Sequence, residues 1–269
     1  MEALRAIDAW GAETAAAGVT RADGELGTHG PRQAPLAWAS VTKLLTGLAV
    51  LIAVEEGTVD LDEPAGPPGS TLRHLLSHAS GLPLDDGPPL MPPAKRRSYS
   101  NAGIEAAAEL VAARAEMPFE RYLGAAVLEP LALSGELAGS PAWGYAGPLD
   151  DLLKLGRELL APTLVAAETL AEATTVQFPG LAGVLPGLGR MDPNDWGLAF
   201  ELRDGKEPHW TGSRNSPRTF GHFGRSGTFL WIDPDLGLAC GVLTDRAFGD
   251  WAREAWPRFN DAVLDEASL

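Results

Sequence analysis

Ala39-Ser40-Val41-Thr42-Lys43-Leu44-Leu45-Thr46-Gly47-Leu48-Ala49-Val50-Leu51-Ile52-Ala53-Val54 is the stretch from which the rest of the chain is read. A serine and a lysine three residues apart meet on one face of a helix. Almost every side chain around the lysine is apolar, and a helix that is apolar on all sides is buried. An ammonium in such surroundings gives up its proton more readily than it does in water. A lysine in that condition, touching a hydroxyl, is a recipe for an activated nucleophile. Read alone, Ser40 serves equally well as an N-cap, with the helix running on to Gly57 as its C-terminal stop.

The 269 residues suffice for one large domain or two intimately packed ones, and 45% hydrophobic content supports a real core. A formal net charge of −15 argues against nucleic acid or an anionic membrane surface as a partner, because both repel an acidic protein. Small anionic substrates stay open, since local arginines override the global field. Met1-Glu2-Ala3-Leu4-Arg5 lacks the basic-then-apolar order of a secretory leader. The apolar run from Leu44 to Val54 is too short to span a bilayer. With Cys240 as the lone cysteine, neither an internal disulfide nor a cysteine metal cage is available. These features point to a soluble cytoplasmic protein without cofactor or metal.

Along the chain, residues 2–17 read as a short amphipathic helix, and Gly18-Val19-Thr20 as a brief strand before an Ala22-Asp23-Gly24 turn. Helical texture recurs over 71–77, 102–116, 119–128, 148–160 and, more weakly, 168–175. The segments 79–93 and 178–195 are irregular and rich in proline or glycine. Strand texture then takes over at 196–202, 219–224, 228–233 and 237–244, and a helix over 252–264 closes the chain. This order predicts an α+β fold, with an antiparallel sheet formed from both chain termini, flanked by helices, and a mostly helical lobe inserted between. Residues 1–60 and 186–269 are expected to form the sheet lobe, and 61–185 the helical lobe, with the site in the cleft between them.

Two further elements stand with Ser40 and Lys43. Tyr99-Ser100-Asn101 leaves the proline-rich loop just before a helix, where a phenol and an amide can face a cleft. His222-Phe223-Gly224 lies on a strand, with a glycine where a substrate can approach the backbone. Each alone reads as ordinary structure: a loop end and a strand histidine. As an ordered set, S-x-x-K, Y-x-N and H-x-G, they resemble the serine beta-lactamase and penicillin-binding-protein superfamily. The similarity is greatest to the branch holding class C beta-lactamases, DD-peptidases and related esterases. The neighbouring text, Leu75-Leu76-Ser77-His78-Ala79-Ser80-Gly81-Leu82-Pro83 and His222-Phe223-Gly224-Arg225-Ser226-Gly227-Thr228, carries it further.

The resemblance implies that Ser40 attacks a carbonyl to form an acyl-enzyme while Lys43 accepts or relays its proton. Tyr99 would be the companion general base, with a pKa open to depression like that of Lys43, and would later help to protonate the leaving group. Asn101 would orient Lys43 and the substrate amide, and His222 would set the electrostatics around Tyr99. The backbone N–H groups of Ser40 and Arg225 would form the oxyanion hole, with Phe223, Gly224 and Arg225 contacting substrate. Phe223 replaces the small or hydroxylated residue common in the third motif, and Arg225 replaces a small or apolar one, so Arg225 either meets an acidic group of the substrate or lies on the rim. The implied activity is that of an esterase or small-amide hydrolase acting on a small molecule, with DD-peptidase or beta-lactamase chemistry in the same class. The alternative is a weakly active or inactive relative that binds a ligand or regulates. His74 and His78, four apart on a helix, lack the glutamate of a zinc hydrolase motif and read as packing. Trp196, Trp210 and Trp231 read as core or cleft wall.

Overall fold

The computed structural model describes residues 1–268. After a short 3₁₀ helix (Ala3–Ala9) come β1 (Ala15–Arg21), β2 (Gly24–His29), β3 (Leu36–Ala37) and α1 (Thr42–Glu55). The middle holds α2 (Leu72–Leu76), α3 (Asn101–Ala115), α4 (Phe119–Leu123), β4 (Glu136–Leu137), β5 (Tyr145–Gly147), α5 (Leu149–Leu160) and α6 (Ala167–Ala173). A small hairpin, β6 (Gly183–Leu185) and β7 (Gly189–Met191), leads to β8 (Glu201–Leu202), β9 (Phe220–Gly224), β10 (Thr228–Asp233), β11 (Leu238–Thr244) and α7 (Asp250–Ala267).

The main sheet runs β2-β1-β11-β10-β9-β8, with β1 antiparallel to β11 from Ala15 opposite Thr244 to Thr20 opposite Ala239. Both termini therefore build the sheet, as the sequence predicts. β10 and β11 are buried along their whole length, which requires cover on both faces. Period-two alternation sorts their side chains into two cores. Leu230, Ile232, Ala239 and Leu243 join Leu149, Leu152 and Leu153 of α5, while Phe229, Trp231, Cys240 and Val242 join Trp256, Phe259 and Val263 of α7. Helix α5, from within the stretch expected to form the helical lobe, thus lies on the sheet. Helix α1 is buried from Thr42 to Ala53, as its apolar composition demands.

Three sequence expectations change at element boundaries, and β2 is a strand that the sequence reading lacks. The opening helix stops at Ala9, and Ala15–Arg21 is strand. Gly11 turns the chain with a φ of 67°, and pairing with β11 overrides the helix preference of Ala15-Ala16-Ala17. β2 is an edge strand of half-exposed polar residues without the alternation that would reveal it. The helix over 119–128 is α only to Leu123 and continues as a π turn over Gly124–Leu128. In 196–202 only Glu201–Leu202 pairs as strand, because Leu198 and Ala199 instead donate their N–H groups to the carbonyls of Ala173 and Leu76.

Candidate active site

Ser40 sits in a single 3₁₀ turn, Ala39–Val41, immediately before α1. Ala39 is left-handed, with a φ of 45°, a conformation that costs an L-residue about 1–2 kcal/mol and turns the chain sharply into the helix. The N-cap of α1 is Val41, with no side-chain hydrogen bond. Ser40 is therefore not the cap, and its hydroxyl is left for other contacts.

Lys43 is fully buried. Its Nζ lies 3.3 Å from Ser40 Oγ, and donates to Asn101 Oδ1 at 2.7 Å and to the Ala142 carbonyl at 2.9 Å. Burial lowers its pKa to about 7, against the opposing pull of Glu105 and Asp85. A neutral amine has two hydrogens and one lone pair. Asn101 and Ala142 take the hydrogens, so the lone pair is left for the Ser40 hydroxyl. The Ala142 carbonyl is held alongside α1 because Thr46 Oγ1 donates to the Pro141 carbonyl and Tyr145 N–H donates to Thr42 Oγ1 at 3.1 Å.

Tyr99 and Asn101 flank Ser100, whose hydroxyl caps α3 by accepting from Gly103 N–H at 2.9 Å. The loop ahead of them is fixed from within. Arg97, buried with no ion-pair partner among the described residues, donates to the carbonyls of Asn194 at 3.0 Å, Ser77 at 2.7 Å, Gln177 at 2.5 Å and Phe178 at 3.1 Å. Burial lowers its pKa to about 10. Asn101 Nδ2 donates to Asp85 Oδ1 at 2.9 Å, which turns the amide oxygen toward Lys43. The expected contact of Asn101 with a substrate amide therefore meets an amide nitrogen already engaged by Asp85.

The Tyr99 hydroxyl lies 3.4 Å from His222 Nε2, and Lys43 Nζ lies 4.9 Å from the centre of the Tyr99 ring. Burial pushes the phenol well above its ordinary pKa, opposed by the Ser40 hydroxyl. This corrects the expectation of a depressed Tyr99: the aromatic, apolar surroundings that ease the proton off an ammonium hold it on a phenol. His222, on β9, is buried, and its Nδ1 lies 2.7 Å from the Phe223 carbonyl. A carbonyl only accepts, so Nδ1 carries the hydrogen and the Nε2 lone pair faces Tyr99. Burial and the nearby Lys43 lower the His222 pKa to about 3. His222 therefore presents a neutral acceptor to Tyr99 rather than a cation.

Gly224 is demanded by space, since a Cβ there would lie 2.5 Å from the Trp38 carbonyl and 3.2 Å from Ser40 N. That approach brings the end of β9 against the serine turn. The Phe223 ring packs with Trp210, Phe248 and Trp256 beneath α7, so it is core at the edge of the cleft and does not stand in for a substrate-binding hydroxyl. Arg225 is exposed on the rim, with no ion-pair partner among the described residues. Ser40, Tyr99, Asn101, His222 and Arg225 line one cleft of about 770 Å³, whose walls include Leu84, Trp143 and Trp196.

Of the two histidines expected on one helix only His74 lies on it, since α2 ends at Leu76 and His78 is left-handed with a φ of 56°. His74 lies 2.9 Å from Thr71 Oγ1 and stacks on Phe178, whereas His78 accepts from Ser100 N–H at 3.1 Å and packs on Tyr99 and Trp196 beneath the cleft. Sequence reasoning missed Asp85 and the Ala142 carbonyl. Asp85-Asp86-Gly87 in the proline-rich loop was the available signal for the first, and a backbone carbonyl leaves none for the second.

The family description Beta-lactamase matches residues 6–265. Comparison with curated protein sequences gives no match. Among solved structures, a beta-lactamase from Mycobacterium bovis is 52% identical, with a TM-score of 0.98 over 99% of this chain and 100% of that one. A mutant of the simvastatin synthase LovD from Aspergillus terreus is 18% identical, with a TM-score of 0.78 over 99% of this chain and 94% of that one. EstCE1, a hydrolase with promiscuous acyltransferase activity, is 18% identical, with a TM-score of 0.77 over 96% and 95%. At such identities the last two attest to the fold alone.

Proposed function

The chain belongs to the beta-lactamase family, and from that premise we propose that it is a serine hydrolase that forms an acyl-enzyme at Ser40 and acts on an ester or small amide. The observation that carries this reading is the accounting at Lys43: two acceptors hold the amine hydrogens, and the lone pair is left for Ser40 Oγ at 3.3 Å. With a pKa of about 7, half of the lysine is free base near neutrality, the condition in which a general base is most effective.

In acylation Ser40 Oγ bonds to the substrate carbonyl carbon and its proton passes to Lys43 Nζ. The negative charge on the carbonyl oxygen meets the N–H groups of Ser40 and Arg225, which Gly224 allows to come close. As the tetrahedral intermediate collapses, the bond to the leaving group breaks. Lys43 returns the proton to it through the Tyr99 hydroxyl, which stays a hydroxyl because its pKa is raised. Water then repeats the sequence on the acyl-enzyme, giving its proton to Lys43 and freeing the acid and Ser40.

The test is covalent. A fluorophosphonate, followed by intact-mass measurement, is expected to add one phosphonyl group to the native protein and none to Ser40→Ala. Equal labelling of both, or labelling of neither, contradicts the proposal. A panel of p-nitrophenyl esters, D-amino-acid amides and a chromogenic cephalosporin then separates esterase, amidase and beta-lactamase activity.

A further inference from the structure

Four of the six large hydrophobic side chains exposed among the described residues line two cavities that share wall residues, one of them the Ser40 cleft: Leu84 (49% exposed), Leu90 (61%), Trp143 (49%) and Val184 (58%). Scattered apolar residues are ordinary on a surface, but a contiguous group marks a place where something apolar binds. Leu84 and Trp143 line the Ser40 cleft. Leu90 and Val184 line a second groove of about 390 Å³ that meets the first at Leu84, Tyr99 and Pro186. Half-exposed Leu84 makes that meeting a ridge at the surface, over which a chain can pass.

The second groove also has a charge. Arg96 and Arg190 line it, and no aspartate or glutamate does. Arg96 has no ion-pair partner among the described residues, and Arg190 only a solvent-exposed one, Asp192 at 3.3 Å, of the kind that contributes little. The guanidinium of Arg97 is taken up by four carbonyls and is not available. In a chain of net charge −15, this leaves a local cationic end to an apolar groove.

We propose that the substrate's leaving group is an unbranched apolar chain ending in an anion, the chain crossing the Leu84–Pro186 ridge and the anion meeting Arg96 and Arg190. This rests on the serine-hydrolase reading above. The leaving-group side follows from Tyr99, which borders both cavities and in that reading delivers the proton to the departing atom. The substrate class is therefore an ester or amide of a long ω-anionic alcohol or amine, with a modest acyl group.

Alkyl acetates of rising chain length, with and without an ω-carboxylate, are assayed by acetate release, with p-nitrophenyl acetate as the reference that needs no groove. kcat/KM is expected to rise about two- to fourfold per methylene. The ω-carboxylate should add about three- to tenfold at low ionic strength, lost in Arg96→Ala/Arg190→Ala and in high salt. Val184→Glu, at an exposed strand position, should remove the chain-length dependence. Calorimetry with ω-hydroxydodecanoate, a product of this class, should show tighter binding than with ω-hydroxybutyrate. Turnover of p-nitrophenyl acetate with a flat alkyl series, or with equal binding of the two products, overturns the groove assignment and spares the hydrolase. Failure to turn over any ester, with no labelling of Ser40, overturns both.

Discussion

Replacing Asp85 with asparagine tests whether the charge behind Asn101 tunes the base. The substitution keeps an oxygen to accept from Asn101 Nδ2, so it removes charge and leaves geometry. The links Lys43 Nζ to Asn101 Oδ1 at 2.7 Å and Asn101 Nδ2 to Asp85 Oδ1 at 2.9 Å put the carboxylate within about 7 Å of the amine. At that distance an effective dielectric of about 20 gives about 2 kcal/mol, and solvent around exposed Asp85 reduces it to about 1 kcal/mol. A nearby anion favours the ammonium, so its removal lowers the Lys43 pKa, by about 0.7 of a pH unit at 1.36 kcal/mol per unit. The acid limb of kcat/KM, which reports the free enzyme, should have its midpoint near 7 in the native protein and about 6.3 in Asp85→Asn. At pH 6 the variant should then run about fourfold faster relative to its own plateau. Glu105 acts on Lys43 in both proteins, and His222 is neutral throughout this range, so neither masks the change. Asp85→Ala should show the same midpoint with a lower plateau, because Asn101 loses its orienting partner. A midpoint that stays put or moves to higher pH in Asp85→Asn refutes the coupling, and a native midpoint near 10 refutes the lowered pKa of Lys43.

Lys43→Met should abolish turnover and raise stability at low pH. Between about 7 and the ordinary 10.5 the unfolded chain holds a proton that the folded one lacks, so native stability rises with pH across that window. The variant's advantage should be about 1–3 kcal/mol below pH 7, after the loss of two hydrogen bonds, and should shrink toward pH 10 in urea titrations; an advantage that grows with pH contradicts the sign. Gly224→Ala, whose Cβ would sit 2.5 Å from the Trp38 carbonyl, should displace Ser40 N–H and lower kcat about 10²-fold or more, and a kcat within threefold of native would clear the oxyanion assignment from this glycine. Arg97→Ala strands four carbonyls and leaves a cavity; a loss of about 2–4 kcal/mol is expected in urea unfolding, and a loss under 1 kcal/mol would show that the guanidinium does not hold the loop.

Much of the fold was legible because it depends on side-chain pattern over short range. The strand 228–233 matches β10 to the residue, and its alternation is what later sorts Leu230 and Ile232 from Phe229 and Trp231. The segment 148–160 declared α5 by its apolar periodicity, though not that it would lie on the sheet. The stretch Ala15–Ala17 was misread because its strand state is imposed by β11, more than two hundred residues away. At the site, Ser40, Lys43, Tyr99, Asn101 and His222 were named by ordered motifs; Ser40, Tyr99, Asn101 and His222 line one cleft, with Lys43 buried against Ser40 and Asn101. The Asp85-Asp86-Gly87 turn marks a pair of loop acids, but only the hydrogen bond from Asn101 tells Asp85 from its neighbour.

The sequence by itself determined which groups are candidates for chemistry and that Lys43 would be buried, because an apolar helix leaves a lone ammonium no other place. Tertiary structure alone decided the protonation balance: the same burial eases the proton off Lys43, holds it on Tyr99 and keeps His222 neutral. It also decided which acceptors fill the lysine's hydrogens and which lone pair is left for the serine. Those properties depend on distances of a few ångströms between residues 40, 43, 99, 101, 142 and 222, and a linear order of residue types carries no distances.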